Sequence, residues 1–191
     1  MTGFARQHAD LIIVSTPLMG ELEKTGKLLP GSRADLGRVG IGVAIREGAA
    51  APDLSTPDAF KQPLIDARSV AYTDPREGGT SSAYVVGVLE RFGLVDAVTK
   101  KAVLTKGGHE AVEKVARGEA EIAVTLMSEI VPVKGARLAA AVPPALQLYT
   151  IYAAGIPASS TEPDVAHAFI AALAGPAMAQ RWTAAGFEPP K

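Results

Sequence analysis

The sequence predicts an α/β fold with a mainly parallel sheet. Short aliphatic runs alternate with amphipathic stretches of about ten residues, the pattern of strands separated by helices. The 19 Gly and 14 Pro punctuate the chain at short intervals, which favours many short elements over a helical bundle. A chain of 191 residues that is 48% hydrophobic is long enough for a real core, as one large domain or two small ones.

The elements follow in order. Asp10-Leu11-Ile12-Ile13-Val14-Ser15 is a continuous aliphatic run and reads as a strand buried on both faces. Pro17 then opens a helix through Leu18 and Leu22 that stops at Gly26. Residues 38–45 read as a second strand, where Gly40 and Gly42 suggest a bend or a close backbone approach rather than a flat central strand. Thr56-Pro57-Asp58 supplies a hydroxyl cap, a first-position proline and a first-turn acid, so a helix starts there and runs to about Ala67, interrupted by Pro63. Residues 69–73 form a short strand, 74–82 a loop, and 83–92 a helix ended by Gly93. A third unit has a strand at 102–105, a helix at 109–117, a stop at Gly118 and a strand at 120–126. Two more strands at 138–142 and 146–153 precede helices at about 162–173 and 176–185.

Composition narrows function by exclusion. With 19 Lys+Arg against 20 Asp+Glu the net charge is −1, and no block of like charge offers a nucleic acid an electrostatic footprint. The absence of cysteine removes a disulfide framework, a thiolate metal cluster and a cysteine nucleophile. His8, His109 and His167 have no partner at metal-ligand spacing, and no Gly-x-Ser-x-Gly elbow exists; Ser55, Ser69 and Ser128 have no histidine near them in sequence. Acid–base work by Glu119, Glu121 or Glu129 would need a pocket that spacing alone does not supply. The expectation is therefore no enzyme, no metal and no cofactor. No apolar run reaches ~18 residues, and Met1 to His8 is not a signal peptide, so the chain as written carries no address and is cytoplasmic if complete.

The most informative stretch is Tyr72-Thr73-Asp74-Pro75-Arg76-Glu77-Gly78-Gly79-Thr80-Ser81-Ser82-Ala83-Tyr84. A strand ends, two glycines let the backbone turn, and three hydroxyl residues stand where a helix begins. The first N–H groups of a helix lack internal partners and carry the positive end of its dipole, so Gly79, Thr80, Ser81 and Ser82 suit an anion. The same residues also suit an ordinary N-cap after a loop. The spacing is not that of a P-loop.

The ordered set of motifs resembles the molybdate-binding protein family, the extracellular solute-binding receptors of ABC importers with the type II periplasmic-binding fold. The resemblance is carried by residues 9–15, by Gly31-Ser32-Arg33-Ala34-Asp35-Leu36 running into Gly40-Ile41-Gly42-Val43-Ala44, and by Pro52 to Ala59. Tyr72-Thr73-Asp74-Pro75 with residues 79–84, Gly118-Glu119-Ala120-Glu121-Ile122 and Ser128-Glu129 extend it, so it covers about 9–189. The family resemblance implies two α/β lobes, 1–42 with 150–191 and 43–149, with a small oxyanion in the cleft between them. It implies hydroxyls and backbone N–H groups as donors: Ser15 and Thr16 from the first lobe, Gly79 to Ser82, Thr125 by its backbone, and Tyr149 as the chemically suitable match for a binding tyrosine. It also implies an ABC permease as partner and a periplasmic or extracellular location. Pro143-Pro144-Ala145-Leu146-Gln147 departs from the molybdate-binding pattern at the return crossing.

The largest departure from the family is at the N-terminus. Family members begin with two strand–helix units ahead of the segment matching Asp10 to Ser15, whereas nine residues precede Asp10 here. Those units supply two serines, and losing two hydrogen bonds to an anion at ~1.5–3 kcal/mol each would lower affinity by roughly 10²–10⁴. The first lobe is expected to be incomplete, with an apolar sheet edge and uncovered helix faces. Two other functions therefore stand beside the receptor: a shortened paralogue completed by self-association, as a homodimer through the sheet edge, and a small enzyme on a related scaffold.

Overall fold

The computed structural model describes residues 9–190; the segment Met1 to His8, on which the signal-peptide and His8 readings fall, and Lys191 lie outside the described residues. In chain order the elements are β1 (Ile12–Ser15), α1 (Thr16–Lys24), β2 (Ala34–Arg46), α2 (Pro57–Asp66), β3 (Val70–Thr73), α3 (Thr80–Phe92), α4 (Val95–Thr99) and β4 (Ala102–Thr105). There follow α5 (Gly108–Ala116), β5 (Ile122–Leu126), α6 (Met127–Ile130), β6 (Ala136–Ala141), β7 (Tyr149–Gly155), α7 (Pro163–Ala174) and α8 (Pro176–Ala184). Two compact units divide the chain, one of residues up to Arg38 and from Thr150, the other Val39–Tyr149.

In the first unit β1 pairs antiparallel with β7, from Ile12 opposite Gly155 to Ser15 opposite Tyr152. α1 covers one face of this pair through Met19, which packs with Leu28, Ala153, Ile12 and Val14. α7 covers the other through Ala166 and Ile170, which pack on Leu36, Ala154, Ile156 and Leu11. The reading of residues 10–15 as a strand buried on both faces is corrected here. Among the described residues β1 pairs with β7 alone, and Ile13 is 42% exposed.

The second unit is built on the strand order β6–β2–β5–β3–β4. β3 runs parallel to both β4 and β5, while β2 is antiparallel to β5 and β6, so the sheet is mixed. Side-chain alternation assigns the two faces. α5 lies over Ala71, Val103, Ala123 and Ala44 through Ala111, Val112 and Val115. α2 and α3 lie over the opposite face, where Phe60, Leu64, Tyr84, Val85 and Val88 meet Val70 and Val124.

The glycines of β2 mark close approaches, as their spacing suggests. A Cβ at Gly40 would stand 2.9 Å from Gln147 Cδ, and one at Gly42 would meet Met127 Cγ at 2.9 Å. β2 is nevertheless a long central strand, relieved by a register shift against β6 between Val43 and Ala44. Gln147 fills the space above Gly40: Ile41 N–H donates to Gln147 Oε1 at 2.7 Å, and Gln147 Nε2 donates to the Ile41 carbonyl at 3.0 Å. The side-chain amide thus acts as a one-residue strand.

α2 continues through Pro63 instead of being interrupted by it. Thr56 caps it by accepting from Ala59 N–H at 3.1 Å, and Phe60 and Leu64, on either side of the proline, are fully buried. This anchoring offsets the lost hydrogen bond.

Candidate functional site

The site is assembled at the C-terminal ends of the parallel strands, where βα turns deliver helix starts. β3 ends at Thr73. Asp74 follows and its carboxylate accepts from Arg76 N–H at 2.9 Å and from Arg76 Nη2 at 2.5 Å, shaping a 3₁₀ turn at Pro75–Glu77. The hydrogen bonds from the Arg76 side chain, then its backbone N–H, hold the Asp74 carboxyl below the usual carboxylate range. Gly78 and Gly79 then take φ of 76° and 100°, values that favour glycine, and both have open space where a Cβ would lie. The chain reverses there and enters α3 at Thr80.

Residues 80–82 therefore form the first turn of α3, not the end of a loop feeding a helix at Ala83. Gly79 provides no side-chain cap and the first turn carries no acid. The N–H groups of Thr80, Ser81 and Ser82 have no acceptor among the described residues. The three hydroxyls are not equivalent. Ser82 Oγ donates back to the carbonyls of Gly78 at 3.0 Å and Gly79 at 3.1 Å, whereas those of Thr80 and Ser81 have no hydrogen-bond partner among the described residues. The helix start offers an anion three backbone donors and two hydroxyls without a positive side chain.

Thr125 lies on the neighbouring strand. β3 pairs with β5 in parallel at Val70 opposite Ile122 and Ala71 opposite Ala123, and Thr73 is paired with Thr105 on its other side. Each of the three parallel strands thus carries a buried threonine at or next to its C-terminal end, on the α5 face. Thr105 Oγ1 donates to the Gly107 carbonyl at 2.9 Å, and Thr125 Oγ1 donates to the Glu129 carboxylate. Thr73 Oγ1 is buried with no hydrogen-bond partner among the described residues. Glu129 and Gly108 complete this cluster: a Cβ at Gly108 would overlap Thr125 Oγ1 and stand 2.6 Å from the Glu129 carboxyl carbon. Glu129 is among the carboxylates the sequence offers for acid–base work, and threonine recurring at the ends of successive strands is a further visible signal.

The remaining expected residues are placed as follows. Ser15 ends β1 and stands at the N-cap of α1 without a side-chain cap bond, and Thr16 is the first residue of α1; both belong to the first unit. Tyr149 begins β7 and is 38% exposed. Gly79 to Ser82, Thr125 and Tyr149 belong to the second unit. A depression of about 560 Å³ opens at the other end of the strands, beside Ile45, Pro52, Pro63 and Ile122. Its carboxylates Asp53, Asp66 and Glu121 accept from Ser55, Gln62 and Arg68 respectively, a lining that repels rather than attracts an anion. Among the described residues no three His, Asp or Glu side chains gather to hold a metal ion, and no helix is long and apolar enough to cross a membrane.

Residues 4–188 match the sequence model of a family described as bacterial extracellular solute-binding protein. The chain belongs to that family. An aconitate isomerase from Pseudomonas sp is 32% identical over 184 residues, covering 96% of this chain and 68% of that protein. Two solved structures of similar fold are the periplasmic molybdate-binding protein of Azotobacter vinelandii and a sulfate-binding protein of Mycobacterium tuberculosis. The first has a TM-score of 0.73 at 20% identity, covering 97% of this chain and 80% of that one. The second has a TM-score of 0.69 at 17% identity, covering 97% and 70%. The solute-binding family member described here thus has the α/β fold of the type II periplasmic-binding proteins.

Proposed function

We propose that this family member is a receptor for a small anion, held by the N–H groups of Thr80, Ser81 and Ser82 and the hydroxyls of Thr80 and Ser81. The observation that carries the reading is the uncapped start of α3: three N–H groups without an acceptor, open space over Gly78 and Gly79, and no acid in the first turn. Ser15, Thr16, the Thr125 backbone and Tyr149 are the further ligand contacts of this reading, an ABC permease is its partner, and the extracytoplasmic space its location. Candidate ligands are tetrahedral oxyanions such as molybdate or sulfate, and carboxylates, which satisfy the same donors.

A second reading, isomerisation of an aconitate-like tricarboxylate, is favoured by the 32% identity to the Pseudomonas enzyme. Glu129, partly buried against Thr125 at the same end of the strands, is then the carboxylate available for proton exchange.

The test is a thermal-shift panel of molybdate, sulfate, cis-aconitate and trans-aconitate, on the wild type and Thr80→Asp. A ligand at a hundred times its Kd adds ~2.7 kcal/mol, and at ~2–4 °C per kcal/mol that raises Tm by about 5–11 °C. Thr80→Asp stabilises α3 through its dipole but places a negative charge on the site, so it should melt no lower than wild type and lose the shift. An unchanged shift in Thr80→Asp, or no shift with any of the four, refutes the site. Interconversion of the aconitates followed by NMR separates the enzyme from the receptor.

A further inference from the structure

We propose that Glu129, Thr73 and the start of α5 form a subsite for an alcohol O–H, so that the ligand is a hydroxycarboxylate rather than a bare oxyanion. The inference rests on the receptor reading of the α3 start and adds what the rest of the ligand carries.

Three observations meet at one place. α5 opens without a side-chain cap, and the N–H groups of Gly108, His109 and Glu110 have no acceptor among the described residues. The acid of its first turn, Glu110, accepts instead from Lys106 N–H at 3.0 Å. Thr73 is only 5% exposed, and its Oγ1 is buried with no hydrogen-bond partner among the described residues. Two residues after Ala71, it stands on the face that α5 covers, paired with Thr105, whose Oγ1 donates to the carbonyl of Gly107, the residue directly before α5. Glu129 completes the place. Its carboxylate accepts from Thr125 Oγ1 and overlaps the position a Cβ of Gly108 would take, so only glycine there lets a carboxylate stand at the helix start.

Charge and hydrogen-bonding capacity decide what fits. A second anionic oxygen here would face the partly buried Glu129 carboxylate, and like charges in such a site repel. A carboxylate can only accept, whereas the α5 N–H groups can only donate. An alcohol O–H does both: it donates to Glu129 and accepts from α5 or from Thr73. The anionic group belongs at α3, whose first turn holds no acid. α3 and α5 follow the neighbouring strands β3 and β4 and lie over opposite faces of the sheet. One ligand reaches both starts only if a carbon skeleton separates its carboxylate from its hydroxyl, whereas a tetrahedral oxyanion carries all its oxygens on one centre.

Calorimetric titration with two matched pairs tests this: citrate against tricarballylate and malate against succinate, each pair differing by one hydroxyl. The hydroxylated member of at least one pair should bind the wild type roughly 10–100-fold tighter, the usual contribution of one hydrogen bond to a charged group. Glu129→Gln keeps an acceptor for Thr125 but loses the charge, and should erase most of that preference. Thr73→Val removes a buried hydroxyl that has no partner, so it should melt no lower than the wild type yet bind the hydroxylated ligand more weakly; a purely structural Thr73 would leave affinity unmoved. Equal binding within both pairs would mean that this place holds only solvent and would overturn the proposal, as would a preference that survives Glu129→Gln or an affinity that Thr73→Val leaves unchanged. In each of those cases, binding that Thr80→Asp abolishes still upholds the anion reading of α3. A protein that takes molybdate or sulfate through Thr80 but none of the four organic acids also overturns the hydroxycarboxylate alone, and one that binds none of these ligands overturns both.

Discussion

Replacing Gly108 and Gly87 by alanine should move stability in opposite directions. Both glycines are helical and neither has a positive φ, so helix propensity alone favours alanine at each by ~0.5–1 kcal/mol. Gly87 is exposed on α3 with nothing within 4 Å of an added Cβ, so propensity decides there. At Gly108 the Cβ overlaps Thr125 Oγ1 and the Glu129 carboxylate, and β5 behind Thr125 is fully buried. Overpacking of this kind costs ~1–3 kcal/mol. Displacing Glu129 also strips the fully buried Thr125 hydroxyl of its partner, for a further ~1–3 kcal/mol. The sum, about 2–6 kcal/mol, outweighs propensity several-fold. At ~2–4 °C per kcal/mol for a chain of this size, Gly108→Ala should lower Tm by about 4–24 °C and Gly87→Ala raise it by about 1–4 °C. Thermal melts followed by circular dichroism read both. A Gly108→Ala protein as stable as wild type would show that the α5 start, Thr125 and Glu129 are not packed as described.

Two other predictions concern polar pairs of the second unit. The Glu121 carboxyl is held below the usual carboxylate range first by the Arg68 backbone N–H and then by the Arg68 side chain. A folded pKa lower than the unfolded one stabilises above the unfolded value, ~4.3, and that contribution is lost as pH falls through the folded value. A carboxyl-carbon NMR titration should therefore find Glu121 depressed, and Arg68→Ala should restore only part of the shift because the backbone donor remains; full restoration would assign the effect to the side chain. Gln147→Glu keeps the acceptor for Ile41 N–H but loses the donor to the Ile41 carbonyl, leaving a partly buried C=O facing a carboxylate. It should cost about 1–3 kcal/mol in urea titration, and Gln147→Leu should cost no less, since it strands both groups.

The order of strands and helices was legible because it rests on local rules. The cap at Thr56, the stop at Gly93 and the aliphatic runs of β3, β4 and β5 each declare themselves within a few residues. α4 and α6 escaped that reading because each is about one turn long, too short to show a period. Pro63 misled because its local penalty is real, while the burial of Phe60 and Leu64 that overrides it is tertiary. The candidate anion site was legible in outline, since glycines followed by hydroxyl residues mark a helix start whatever the fold. Which hydroxyl faces outward was not: Ser82 turns back to Gly78 and Gly79 only once φ of 76° and 100° have folded those carbonyls beneath it.

By itself, then, the sequence determined the alternation of elements, the neutral charge balance that argues against polyanion partners, and a helix start able to hold an anion. Those properties reside in neighbouring residues and in composition, where steric and electrostatic rules act over short range. The tertiary structure alone decided that the aliphatic run at β1 pairs antiparallel with β7, that Phe60 and Leu64 anchor α2 across Pro63, and that Glu129 meets Thr125 under Gly108. A strand's neighbours and a side chain's burial depend on segments far away in the chain: β1 finds its partner about 140 residues later, at Tyr152 to Gly155, and no local period records that choice.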